Sequence, residues 1–236
     1  LSAYDFGYIT AGKLAQRTTN TMRTMEELER YRGHFYNWYD TQTLQPLQPL
    51  YVSTVDSGNL AGHLLTLRAG LLALSNDKIL PHRLFEGFSD TFKILENALD
   101  DEAEKGVTRA LMAFRHALEA ATKAPPERLD TAHAALTHLA NSADLLVAQI
   151  TGRTDRPDDA LRANEDNAIG NIGKVVDEDD DWARTLARQC REALDELHFL
   201  IPWLLPSSEA GEPEIFIDKL PMVMLPTLRE LATAGS

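Results

Sequence analysis

Apolar residues recur at three- and four-residue spacing along most of this chain, and that period settles the class of fold before any other feature is weighed. Leu84, Phe88, Phe92, Leu95 and Leu99 carry it, as do Leu111, Phe114 and Leu118, then Leu129, Leu136, Leu139 and Leu146, and finally Trp182, Leu186, Cys190, Leu194, Leu197 and Ile201. Side chains so spaced line one side of an α-helix and need a neighbouring element to bury them. The same period predicts a helix from Thr10, as N-cap, through Leu14, Thr18, Met22, Met25 and Leu28 to a terminator at Gly33. A second helix is expected to open at Asp56 or Ser57 and run to Leu74, burying Leu60, Leu64, Leu67 and Leu71. Further helices are expected over 82–99, 103–122, beyond the Pro125-Pro126 break, over 159–176 despite Gly170 and Gly173, from Asp180, and briefly after Pro226. Only Ile215 to Lys219 alternates with a period of two, so the class is all-α.

At 236 residues and 44% hydrophobic, the chain can bury a sizeable core. Its 36 acidic against 23 basic residues give a net charge of −13, which repels phosphate backbones and anionic lipid surfaces. Nucleic acid and direct membrane contact are therefore not expected. The longest apolar run, Phe199 to Leu205, is broken by Pro202 and is too short to cross a bilayer. The opening residues lack the charged-then-apolar pattern of a leader, so neither a signal peptide nor a transmembrane helix is expected. A single cysteine, Cys190, leaves no internal disulfide and no cysteine zinc site. The start at Leu1 is what a piece of a longer protein would show.

Two blocks interrupt the helical pattern. Arg32 to Thr41 and Val52 to Leu64 concentrate aromatics, carboxylates, amides and small residues. Aromatic faces stack on sugar rings, and Asp, Asn and His hydrogen-bond hydroxyls, so the mixture suits a saccharide better than a lipid or nucleic acid. The first block offers Tyr36, Asn37, Trp38, Tyr39 and Asp40; a hydrophobic plug with a turn at Asp40 and Thr41 is the competing reading. In the second, Asp56, Asn59 and His63 stand at i, i+3 and i+7, a polar stripe beside the apolar one of Leu60, Leu64 and Leu67. Such a helix could line a hydrated cleft, with Trp38 and the stripe forming one surface; an N-cap at Asp56 or Ser57 on a solvated helix is the alternative. Gly58 and Gly62 fall on successive turns and would admit a close neighbour.

Tyr-Asp-Phe-Gly-Tyr-Ile-Thr at 4 to 10, His-Phe-Tyr-Asn-Trp-Tyr-Asp-Thr at 34 to 41 and Tyr-Val-Ser-Thr-Val-Asp-Ser-Gly-Asn-Leu-Ala-Gly-His-Leu at 51 to 64 resemble the cyclic β-1,2-glucan synthase family, at the start of its glucoamylase-like region. The resemblance covers the first third of the chain. The (α/α)6 toroid that the resemblance implies needs about twelve helices against roughly seven or eight here, so 1–80 is expected as helical pairs forming part of it and 81–236 as an added helical bundle in a single all-α domain, an incomplete toroid being the alternative. The resemblance further implies a glycosyltransferase parent that makes cyclic β-1,2-glucan, a multi-pass protein of the bacterial inner membrane with this soluble segment on the cytoplasmic face. The expected partners are the β-1,2-glucan chain and the remaining regions of the parent polypeptide. Glycoside chemistry needs two opposed carboxyl groups, and the resemblance places those in later parts of the toroid. Asp40 and Asp56 are therefore expected to position substrate, no catalytic residue is assigned, and no metal or other cofactor is expected. A helical spacer between catalytic regions, binding no sugar, is the alternative function.

The remaining clusters carry less. Asp177 to Asp181 precedes a helix whose N-terminal dipole favours acidic residues. His133 and His138, five apart on a helix, do not share a face and are expected at the surface. Cys190 lies on an apolar stripe as a small core residue.

Overall fold

The computed structural model describes residues 1–99, 101–154, 178–202 and 224–234; the helix expected over 159–176 and the alternating residues 215–219 lie outside them. Eight α-helices occur among the described residues: α1 (Ser2–Asp5), α2 (Ala11–Glu27), α3 (Thr54–Ala73), α4 (Arg83–Ala98), α5 (Asp101–Lys123), α6 (Leu129–Thr154), α7 (Glu178–Leu200) and α8 (Leu228–Ala234). A 3-10 turn at Leu74–Asn76 and a hairpin of β1 (Arg30–Tyr31) and β2 (His34–Phe35) complete them. The fold is all-α. Its contacts divide into two compact units, residues 2–10 with 78–226, and residue 1 with 11–77 and 227–236.

Among the described residues, the first of these units holds a four-helix bundle. Helix α4 packs on α5, α5 on α6 and α6 on α7, and α7 closes the ring by packing on α4. The stripes read from the sequence meet in its centre, where Phe88, Phe114, Leu95, Leu136, Leu186 and Cys190 are fully buried. Phe114 lies against Phe92 with ring centroids 5.0 Å apart, and Phe85 meets Phe88 edge to face. Burying the Cys190 thiol in this apolar centre pushes its pKa far above the ordinary value, so it serves as packing and not as a nucleophile. Surface ion pairs, Arg115 with Glu96 and Arg191 with Asp144, join facing helices but add only about 0–1 kcal/mol each. The chain returns at 224–226, where the Leu225 amide donates to the Glu127 carbonyl and the Ile79 amide to that of Pro226.

The N-terminal segment is docked on this bundle by two glycines. Helix α1 ends in a Schellman motif: the Tyr8 amide donates to the Ala3 carbonyl and the Gly7 amide to that of Tyr4, with Gly7 at φ +75°. A Cβ on Gly7 would stand 1.8 Å from the Arg83 carbonyl oxygen, and one on Gly87 would stand 2.3 Å from the Gly7 oxygen. The two backbones therefore touch at glycine on both sides. Tyr4 is buried beneath the Arg83 guanidinium, 4.2 Å above its ring.

The other unit is sparsely packed. Helix α2 stops at Glu27, short of the expected Gly33, because the Arg30 guanidinium donates to the Met25 carbonyl and the chain reverses at Arg32-Gly33, both at positive φ. That pair is the two-residue loop of the β1–β2 hairpin, which pairs Arg30 with Phe35 and Tyr31 with His34; Gly33 is a turn residue, not a helix terminator. Helix α3 buries none of its 20 residues: Leu60, Leu64, Leu67 and Leu71, expected in a core, are half-buried. Helix α8 is started by a capping box, the Thr227 amide donating to Glu230 Oε2 and the Glu230 amide to Thr227 Oγ1, and the Arg229 guanidinium donates to Ser75 Oγ. No helix among the described residues is long and apolar enough to cross a membrane.

Candidate functional site

Helix α3 begins earlier than its apolar pattern suggests. Ser53 is the N-cap, its hydroxyl accepting the Asp56 amide, so Asp56 and Ser57 lie inside the first turn. This frees the Asp56 carboxylate, which accepts from Asn37 Nδ2 at 2.8 Å. Asn37 Oδ1 in turn accepts the Ser53 amide at 3.0 Å, and the Asn37 amide donates to the Tyr51 carbonyl. One asparagine thus ties the loop after β2 to the start of α3 on both sides.

A cavity of about 660 Å³ opens beside this clamp, between Gly33 to Asn37 and the start of α3. Its lining mixes polar Asn37, Asp56, Thr54 and Ser57 with apolar Phe35, Tyr36, Leu60, Ala61 and Leu64. Residues 57, 60, 61 and 64 are one face of α3, so the cavity lies along the apolar stripe. The expected polar stripe is divided: Asp56 faces the cavity, whereas Asn59 and His63 are exposed and do not line it.

The first block is divided too. Tyr36 and Asn37 line the cavity. Tyr39 is spent on the loop, its hydroxyl accepting the Tyr36 amide at 2.8 Å and donating to the Glu29 carbonyl at 2.7 Å. Asp40 is also turned inward on its own turn: Oδ1 accepts the Gln42 and Thr43 amides and the Thr43 hydroxyl. Those bonds, the Thr43 amide first, hold its carboxyl below the usual carboxylate range. Trp38 is 52% exposed and stacks on Tyr51, centroids 6.0 Å apart, outside the cavity lining. Trp38 and the Asp56, Asn59, His63 stripe are therefore not brought to one cavity; Tyr36, Asn37 and Asp56 are.

The residues that sequence reasoning missed are Phe35 and the apolar face of α3. The Ser53-x-x-Asp56 pattern was the available signal, since it marks a helix start three residues before the one expected. No protein-family model matches the chain, and no curated protein sequence matches it.

The clamp makes a direct prediction. Asn37→Ala removes both side-chain bonds, and two exposed or half-buried hydrogen bonds are worth about 1–2 kcal/mol together. We expect the Ser53 amide to lose its hydrogen-exchange protection while amides of α4 to α7 keep theirs. Unchanged Ser53 protection would show that the loop is held by other contacts.

Proposed function

We propose that this chain is a saccharide-binding segment of a cyclic β-1,2-glucan synthase, contributing glucan or acceptor contacts to the transglycosylating, glucoamylase-like part of a glycosyltransferase. In that reading the segment belongs to a multi-pass parent of the bacterial inner membrane and works on its cytoplasmic face. The motif resemblance over residues 4–10, 34–41 and 51–64 supports it. So does the one observation that carries most weight, a cavity lined by Phe35 and Tyr36 together with the hydrogen-bonded pair of Asn37 and Asp56. Aromatic faces with a fixed carboxylate and amide are the groups a sugar ring and its hydroxyls use. The Asp56 carboxylate has one amide partner and keeps acceptor capacity for a hydroxyl. Among the described residues Asp56 is the one carboxylate that lines the cavity, which fits positioning and not bond cleavage.

Titration with linear β-1,2-gluco-oligosaccharides, followed by tryptophan fluorescence and by calorimetry, tests this reading. Saturable binding is expected, and loss of a stacked aromatic costs on the order of 1 kcal/mol, so Tyr36→Ala should weaken it several-fold. Asp56→Asn should do likewise, whereas His63→Ala, which removes a side chain outside the cavity, should not. Absence of binding at millimolar oligosaccharide sinks the proposal.

A second reading rests on α3 itself. A 20-residue helix with Val55 and Leu65 each 69% exposed and no buried residue calls for a covering surface. That favours a helical spacer or interaction module among the regions of a larger protein. Failure of sugar binding in a chain that nevertheless stabilises when covalently joined to neighbouring regions would select it.

A further inference from the structure

His133 on α6 and His198 on α7 are brought together across the bundle, 65 residues apart in sequence, with Nε2 to Nε2 at 3.0 Å and ring centroids 5.1 Å apart. His133 was expected at the surface; it is instead half-buried, as is His198, so the pair is partly enclosed yet reachable from solvent. At that separation the two ring nitrogens cannot both carry a proton, so one proton is shared and one lone pair is left facing it.

We propose that His133 and His198 form an interhelical two-histidine site in which a divalent transition-metal ion of tetragonal preference, Cu2+ or Ni2+, replaces the shared proton. The geometry selects the class of ion. With metal–nitrogen bonds of about 2.0–2.1 Å, nitrogens 3.0 Å apart subtend about 90°, the angle of cis ligands in a square-planar or tetragonal complex. Tetrahedral coordination would need the nitrogens roughly 3.4 Å apart. Among the described residues no group of three or more His, Cys, Asp or Glu could hold a metal, so a closed structural zinc site is not formed here. The ion would be held by two imidazoles, with water in the remaining positions. Binding takes the Nε2 lone pair of both rings, so the ring that holds the shared proton passes to its Nδ1–H tautomer with no net loss of a proton, and the ion links α6 to α7.

The test uses the whole chain, freed of metal with a chelator and titrated with Cu2+ under electron paramagnetic resonance and calorimetry. One Cu2+ whose signal shows splitting from two nitrogens is expected. His133→Gln and His198→Gln should each weaken that binding at least tenfold while leaving the far-ultraviolet circular dichroism unchanged. His138→Gln, which alters an exposed residue of the same helix, should leave it intact. Bound Cu2+ should raise the midpoint of thermal unfolding in the unaltered chain and not in either glutamine variant. Cu2+ binding that survives the double variant, a signal from a single nitrogen, or equal loss in His138→Gln overturns the proposal. Should either glutamine variant fail to fold, His133→Ala with the same titration, and imidazole added back to restore the signal, decides the matter.

Discussion

Phe114→Ala is expected to lower the unfolding free energy of the four-helix bundle by about 3–5 kcal/mol, the range for deleting a large aromatic side chain from a closed core. Phe114 has no exposed surface, and its ring is held against Phe92 at a 5.0 Å centroid distance. The aromatic pair adds about 0.5–1.5 kcal/mol beyond its area, and that share disappears as well. Neighbouring helices cannot collapse into the space cheaply, because α5 is fixed by packing on both α4 and α6. Against a total stability of about 5–15 kcal/mol for a domain, one such change brings the bundle close to unfolding. Urea denaturation followed by circular dichroism measures it. A loss below about 1 kcal/mol would mean that the core is plastic at this position and that the packing described here is not what holds the helices together.

Gly7→Ala should be nearly as costly, by a different route. Alanine at φ +75° costs about 1–2 kcal/mol on conformation alone. Its methyl group would also occupy the position of the Arg83 carbonyl, which belongs to a helix backbone and cannot rotate away. The N-terminal segment must then lift from α4, exposing Tyr4 at a cost of about 1.5–3 kcal/mol of lost burial. The total expected is about 3 kcal/mol, with the ceiling set by what docking of the segment contributes. Hydrogen exchange should show residues 2–10 deprotected while α5 and α6 stay protected. Gly58→Ala is the contrasting change: nothing lies within 4 Å of the added methyl, and a helical glycine replaced by alanine gains about 0.5–1 kcal/mol. Equal losses in the two variants would show that the close approach of Gly7 to α4 is not the cause.

The residues that pack the bundle were legible because burial there follows a local period. Leu84, Phe88, Phe92 and Leu95, or Leu186, Cys190, Leu194 and Leu197, each announce a face at spacings that a helix alone can satisfy, and each face is buried as expected. The break at Pro125-Pro126 and the short helix after Pro226 were equally local, set by a missing amide proton and a Thr-x-x-Glu cap. The same logic misled over α3, whose leucines have the period of a core helix but only half-bury, since a pattern reports what a helix could bury and not whether a neighbour is present. The end of α2 also escaped it, because Arg32-Gly33 turns a hairpin that competes with continued helix. At the candidate site, sequence singled out the right residue types without their division of labour. Tyr39 and Asp40 read as sugar ligands, yet a hydroxyl and a carboxylate on a tight loop satisfy the loop's own amides first. Which of the polar residues remain for a ligand, and that His133 meets His198, depend on contacts between residues 19 and 65 positions apart. Sequence by itself determined the helices of the bundle and their buried faces, because those follow from dihedral preference and apolar period. Tertiary structure alone decided which side chains converge, because convergence depends on how separate helices pack and on which hydrogen bonds the backbone claims.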